Sequence, residues 1–553
     1  MKILDWVFNL RHKEIFIFAF LVLLFFVFSY GPIIQNFKNA PPGRYYWGGI
    51  EYPIDNVGSL SVVREGMLGH WQMQYKFSSA MITKPGFVKI EYIAVGQIAR
   101  LFHLDIIVAY FLTRFLLSIA NIFLIYFLVN KLFKSPFQRM VGYFLAIFSA
   151  GVTLPFDFSR VISNKLPQDV GVFLRITTAA HHYQLGIFFG LLAIYFLSKY
   201  IVQANKLIYF IIACISGIIT TIVYAPTAIL IWMSLPVVFL FEFYHLIRNK
   251  MSKRHLTQLV LIFAVFIFIT VFPLLYVRYL SGYWDDYSFS RTENIVPFAP
   301  LWWHYFFIAG LTYFFSLFAI PEVVKKRNVL FSFFLAWVVV HPVAMNWIAP
   351  IIGLNKTRFF LTPYFVIFGI LAVFGIEKLL SYIKKAIAVR FNQAIAYLIC
   401  VLLVVISGFE TYKISLDWLR ACFCQGDGFA FGYPRNEDMS AWKWLRDNSR
   451  EDDIILSDNF AGMMIPVFAG NKVYTSHWVN IVWPSNFNEI VTNKERFFSG
   501  YMPDEEAKQF LLQNQISYIY YGTIEKWPAG KLSYPFIEKK YSNPIVDIYK
   551  VTN

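Results

Sequence analysis

Asp55 is the residue best placed for chemistry. It closes the run Gly43-Arg44-Tyr45-Tyr46-Trp47-Gly48-Gly49-Ile50-Glu51-Tyr52-Pro53-Ile54-Asp55, a short way beyond the first long apolar stretch. A carboxylate in an aromatic, partly dry setting can take a proton from an acceptor hydroxyl, and a positioned general base contributes ~10²–10⁴-fold. On local sequence the competing role is that of a cap for a helix beginning near Val57, a position Asp often fills. Glu51 is the nearest other acid. Arg64-Glu65-Gly66-Met67-Leu68-Gly69-His70-Trp71 follows, with His70 as a candidate substrate contact.

Cations are the second group. Lys84, in Lys84-Pro85-Gly86, and Lys89 stand where they could stabilise a leaving lipid phosphate, as a fixed cation does; the alternative is snorkelling toward anionic headgroups. Arg114 lies inside an apolar run, where a charge is costly and usually faces the interior of a bundle. Arg358 begins another run, in Asn355-Lys356-Thr357-Arg358-Phe359-Phe360. Its planar fork suits phosphate oxygens, against the simpler role of an anchor in an aromatic belt.

Further candidates sit in two other connectors. Between Pro155 and Tyr183 are Asp157, Arg160, Asp169, Arg175, His181 and His182. Adjacent histidines do not share a helix face, so a two-histidine metal site is not expected, but either ring could bond a phosphate or hydroxyl. Tyr283-Trp284-Asp285-Asp286-Tyr287 places two carboxylates among aromatics, a setting for a sugar or a divalent cation, with a solvated loop as the default. Ser457-Asp458-Asn459-Phe460-Ala461-Gly462 and Ser476-His477-Trp478 read as caps and packing, with no phosphate-loop or dinucleotide fingerprint.

The elements that must position these residues are mostly membrane spans. The chain has 553 residues, 58% hydrophobic and 20% aromatic, with only 15% charged; its mean hydropathy is +0.53. A soluble chain carries roughly 25% charge, so a soluble globular protein is excluded. Apolar runs near the ~20 residues a bilayer needs fall at 15–30, 106–130, 140–155, 183–198, 207–223, 226–246, 256–280, 302–321, 329–349, 359–380 and 394–412. That makes about eleven transmembrane helices. Lys131/Lys134/Arg139, Lys199/Lys206, Arg248/Lys250/Lys253/Arg254, Lys325/Lys326/Arg327 and Lys384/Lys385/Arg390 fall in every second connector. This is the positive-inside pattern, so much of the net charge of +16 is topological and a nucleic-acid role is not expected.

The amino end is then cytoplasmic, and the connectors 31–105, 155–182, 281–301 and 350–358, with everything after Tyr412, lie outside. Phe87–Phe102 carries Lys89, Gly96 and Arg100 on one face and suits a helix lying on the outer surface. From about 413 the composition turns polar, and helical spacing at 437–447 and 504–515 alternates with strands at 453–456, 472–475 and 517–521. The expected fold class is an α-helical polytopic membrane module, 1–412, followed by a small α/β extracytoplasmic domain, 413–553. Four cysteines, among them Cys422 and Cys424, build no disulfide framework.

In this pattern the chain resembles the GT-C superfamily of multispanning glycosyltransferases. There a catalytic acid in the first outer loop is followed by surface helices, a Lys-Pro element and an Arg-containing second span; here these features look like Asp55, Lys84-Pro85, Phe87–Phe102 and Arg114. Aminoarabinose transferases acting on lipid A and protein O-mannosyltransferases share the arrangement. The chain also looks like a group of bacterial GT-C-like proteins with the stretch Arg64 to Trp71, Arg358-Phe359, Trp444-Leu445-Arg446, and Arg496 to Glu506. The resemblance implies inverting transfer from a polyprenyl-phosphate or polyprenyl-diphosphate sugar to a lipid, glycan or protein acceptor on the outer face of a prokaryotic cytoplasmic membrane. Asp55 would be the base, Lys84, Arg114 and Arg358 would hold the donor phosphate, and His181 or His182 would assist. A paired acidic motif often seen in the superfamily is replaced here by Asp55-Asn56, which leaves the divalent cation open. The rival reading is a lipid-linked-sugar flippase or transporter, although such proteins tend to show internal repeats, and none is found.

Overall fold

A computed structural model describes residues 11–48, 53–79, 85–149, 151, 180–203, 206–249, 253–280, 304–325, 328–386, 401–402, 405–406, 432–476, 487–527 and 531–552. In chain order its helices are α1 (Arg11–Lys38), α2 (Pro53–Leu68), α3 (Ile90–Leu101), α4 (Ile106–Leu132), α5 (Pro136–Phe148), α6 (His181–Val202), α7 (Leu207–Asn249), α8 (Lys253–Leu280), α9 (His304–Phe318), α10 (Ile320–Lys325), α11 (Val329–Val343) and α12 (Tyr364–Ala386). The tail adds α13 (Asn436–Asn448), α14 (Asn459–Phe468), α15 (Phe487–Phe498), α16 (Asp504–Gln513) and α17 (Thr523–Lys526). Its strands are β1 (Ile454–Leu456), β2 (Lys472–Val473), β3 (Ile516–Tyr521), β4 (Ile537–Ser542) and β5 (Asp547–Val551).

Among the described residues, seven helices are long and apolar enough to cross a membrane: Glu14–Lys38, Ile106–Leu132, His181–Val202, Leu207–His245, Leu256–Leu280, Val329–Ile351 and Tyr364–Tyr382. The protein is an integral membrane protein. Most of the run read at 394–412 lies outside the described residues, and α5 and α9 are described as shorter helices. Helix α7 is a special case. Tyr224 has non-helical angles, φ −154 and ψ 81, just before Pro226. Gly217 rests on the Thr270 methyl and Trp232 Nε1 donates to Thr270 Oγ1 at 2.9 Å, whereas a straight helix would hold these residues roughly 22 Å apart. The run therefore folds back at Tyr224, and its two arms follow the boundaries read at 207–223 and 226–246.

The described residues fall into two compact units, one within Met1–Pro32, Arg114–Tyr276 and Glu293–Ala421, the other within Ile33–Thr113, Val277–Thr292 and Cys422–Asn553. In the first, α11 is apolar on every side, with Phe333, Phe334, Ala336 and Trp337 fully buried, as befits a helix at the centre of a bundle. Helices α6, α7 and α12 pack around it.

The second unit joins the connector after α1 to the tail. Its sheet has the order β2-β1-β3-β5-β4, with β1 parallel to β2 and β3, and β5 antiparallel to β3 and β4. The expected strands and helices are present; α14, α15, α17, β4 and β5 are additions. Pro53 opens α2, a position where its missing N–H costs nothing, so Asp55 lies in the first turn rather than capping a helix that begins near Val57. This corrects the capping role. Lys89, expected on the α3 face, precedes that helix with φ 50.

Helices α2 and α3 cross at two glycines. A Cβ on Gly96 would collide with the Val63 carbonyl oxygen, and one on Gly66 with that of Ile93. Gly96→Ala should therefore lower the thermal unfolding midpoint of the detergent-solubilised protein, the clash of ~1–3 kcal/mol outweighing the ~1 kcal/mol gain in helix propensity. An unchanged or raised midpoint would contradict the crossing.

Candidate functional site

In the first unit, Arg358 meets the first turn of α6, and the face of α4 that carries Arg114 bonds to the same helix through Ser118 and Asn121. Arg358 lies in a 3₁₀ turn, Lys356–Leu361, that precedes α12. Its Nη1 donates to the Tyr183 hydroxyl at 3.0 Å, and the Tyr224 hydroxyl donates to its carbonyl oxygen. The Tyr183 and Tyr224 rings meet edge to face at 5.0 Å, and the His182 ring lies 3.9 Å from that of Tyr183. Gly186, one turn further into α6, is the residue that lets Tyr224 approach, since a Cβ there would be 2.7 Å from the Tyr224 Cβ. A guanidinium beside a phenol, on a backbone turn held by a second one, is suited to bind an anion.

Arg114 is carried by α4. Helix α4 places Arg114, Ser118 and Asn121 at i, i+4 and i+7, one face of a helix, and they are 3%, 0% and 0% exposed. Arg114 interacts with the Tyr30 phenol, which shares a 3.2 Å hydrogen bond with Ser118. Gln184 Nε2 donates to Ser118 Oγ at 3.1 Å, and Asn121 Nδ2 donates to the Gln184 carbonyl oxygen at 3.1 Å. His181 is buried at 1% exposure, whereas the half-buried His182 packs against Tyr183 and Tyr224. Polar side chains carried this far into an apolar core are kept only where they are partnered.

The second unit holds Asp55 and His70. The backbone puts Asp55 in the first turn of α2, where the helix dipole favours a carboxylate by about 0.3–1 kcal/mol. Its neighbour Asn56 accepts a 3.1 Å bond from the Tyr110 hydroxyl. His70 is engaged on both ring nitrogens, Nδ1 at 2.9 Å from Glu65 and Nε2 at 3.2 Å from Glu451. Lys76 pairs with the other Glu65 oxygen at 2.8 Å and donates to the Gly470 carbonyl at 2.7 Å. Arg64 Nε donates to the Val467 carbonyl at 2.7 Å, and burial pushes its guanidinium down to about 10. The stretch Arg64 to Trp71 thus fastens the first connector to the tail, and His70 is a member of that fastening. Glu51, Lys84, Asp157, Asp169 and Asp285 lie outside the described residues. Among the described residues no three His, Cys, Asp or Glu side chains converge on a common point as a metal site.

Glu525, in the tail, is a titratable centre without a signal in the sequence. Glu525 is 3% exposed and accepts from the Asp458 and Gly522 backbone N–H groups at 2.7 and 3.0 Å. Burial, helped by the neighbouring Asp458 carboxylate, pushes it up to about 8. The fold favours the neutral acid, so this contribution to stability is complete below the ordinary carboxylate value and is lost as pH rises through about 8. The unfolding midpoint should fall between about pH 5 and pH 8 and level off above that, and Glu525→Gln should flatten that fall; an equal fall in both proteins would contradict it. Tyr183, Tyr224 and Glu525 escape sequence reasoning because neither a hydroxyl nor an acid between apolar residues has a spacing signature. Only the Tyr224-Ala225-Pro226 break carries a signal.

No family model and no curated protein matches the sequence. Solved structures do. The Archaeoglobus fulgidus oligosaccharyltransferase in its apo form aligns with a TM-score of 0.56 at 12% identity over 96% of this chain and 72% of that one. The archaeal oligosaccharyltransferase AglB from the same organism, in complex with an inhibitory peptide and a dolichol-phosphate, gives 0.55 at 11% over 92% and 69%. The A. fulgidus enzyme tethered by a disulfide to an acceptor peptide containing the NVT sequon gives 0.54 at 12% over 93% and 70%. At these identities the likeness is one of fold.

Proposed function

We propose that this chain is a membrane glycosyltransferase that moves a sugar from a polyprenyl-phosphate or polyprenyl-diphosphate donor to an acceptor hydroxyl or amide on the outer face of a prokaryotic membrane, with inversion. Asp55 takes the proton from the acceptor as its oxygen or nitrogen attacks the anomeric carbon. The bond from that carbon to the phosphate oxygen breaks with its electron pair, and the polyprenyl phosphate leaves on the opposite face of the sugar. Lys84, Arg114 and Arg358 take up the negative charge that accumulates on the leaving group. Glu51, His70, Asp157, Asp169, His181, His182 and Asp285 remain the candidates for sugar and acceptor contacts, with a divalent cation left as an option at the acidic ones.

The observation that carries the reading is the Arg358 guanidinium bonded to Tyr183 in the first turn of α6, with buried Arg114 on the face of α4 that bonds to Gln184 of the same helix through Ser118. A phosphate whose prenyl chain lies in hydrocarbon matches it, and a dolichol-phosphate is present with the similarly folded AglB. Retention of a labelled short polyprenyl phosphate by the purified protein in detergent tests this. It should be retained and should not be displaced by the corresponding polyprenol; equal displacement by the alcohol would show that the phosphate is not what the site holds.

A further inference from the structure

The arginine at position 358 is held by more than its own side-chain contact. His341, buried at 0% exposure near the end of α11, directs Nε2 at the Phe359 carbonyl oxygen at 2.9 Å. Its Nδ1 meets the hydroxyl of Tyr305, also 0% exposed, at 2.9 Å. A carbonyl oxygen only accepts, so the His341 proton resides on Nε2; in the neutral ring Nδ1 then accepts from the Tyr305 hydroxyl. Thr362 Oγ1 donates to the same carbonyl at 2.7 Å. The peptide units on the two sides of Phe359 are therefore both fixed, the Arg358 carbonyl by Tyr224 and the Phe359 carbonyl by His341 and Thr362. The His341 ring also lies tilted against that of Tyr364 at 4.6 Å, and a π turn, Ala344–Ile348, follows closely in the chain, a feature frequent beside functional sites.

We infer that His341 and Tyr305 are positioning residues for Arg358: a two-link relay from α9 through α11 that sets the turn in which the guanidinium stands. This rests on the assignment of Arg358 to the donor phosphate. A binding cation that is preorganised loses less freedom on capture than one on a mobile turn, and the 3₁₀ turn Lys356–Leu361, short and weakly bonded in itself, needs such external bonds.

The test is retention of labelled polyprenyl phosphate by the full chain in detergent, with unfolding midpoints recorded in parallel. His341→Phe leaves the Phe359 carbonyl with the Thr362 hydroxyl alone and should weaken retention roughly tenfold, the scale of one hydrogen bond. Tyr305→Phe keeps the ring and the packing and should weaken it by a smaller factor. His341→Gln keeps an N–H near the Nε2 position and should recover most of the loss. In an Arg358→Ala background, His341→Phe should have no further effect, as coupled positions require; a merely structural histidine would weaken both backgrounds equally. If Arg358→Ala itself leaves retention unchanged, the assignment of Arg358 falls. If it weakens retention while Tyr305→Phe and His341→Phe do not, the relay alone is overturned. The relay is likewise overturned if His341→Phe acts equally with and without Arg358.

Discussion

Asp55→Asn should lower sugar transfer by ~10²–10⁴-fold, the span expected when a positioned base is removed. The substitution keeps the shape of the side chain and its place in the first turn of α2, and takes away only the capacity to accept a proton. Loss of a favourable charge at a helix start costs about 0.3–1 kcal/mol, so the unfolding midpoint should move by a few degrees at most. Retention of polyprenyl phosphate should also be unchanged, since the base acts on the acceptor and not on the leaving group. Turnover equal to the wild type would reduce Asp55 to a helix residue and pass the role to Glu51, Asp157 or Asp169.

Arg358→Ala should cost roughly 10²–10³-fold in transfer, the loss seen when one donor to a developing negative charge is deleted. The effect should reach both steps, weaker donor capture and slower departure of the phosphate, whereas Asp55→Asn affects only turnover. Arg358→Lys should fall between the two, because a lysine restores the charge but not the planar fork. The Tyr183 hydroxyl loses a partner in either variant, yet Tyr183 and Tyr224 still pack together, so folding should survive. Wild-type kinetics for Arg358→Ala would mean that the residue is an anchor in an aromatic belt and nothing more.

The membrane character and the many-helix architecture are legible because they are written in long-range periodicity: apolar runs of bilayer length, and basic residues in alternate connectors. The tail is legible for the same kind of reason where strands are short and buried, as at Ile454–Leu456 and Ile516–Tyr521. Strands β4 and β5 are not, since Glu538, Lys539 and Lys540 give the former an exposed, charged face. Asp55 falls in the expected segment, but the helix starts about one turn earlier than its spacing suggests, because Pro53 can open a helix as readily as it ends one. The pairing of Arg358 with Tyr183 and the His341–Tyr305 relay join residues far apart in the chain, and pattern in one sequence carries no record of such distances. His341 alone leaves a trace, as an ionisable residue within an apolar run.

The most direct test of the central claim is turnover by the wild-type protein in detergent with a panel of short polyprenyl-phosphate and polyprenyl-diphosphate sugars, reading released lipid phosphate and the anomeric configuration of the product. Lipid phosphate should be released from at least one donor with a product of inverted configuration, and both should be lost in Asp55→Asn. No release from any donor, while labelled lipid-linked sugar still crosses reconstituted vesicles, would contradict glycosyl transfer and give the protein to lipid translocation instead.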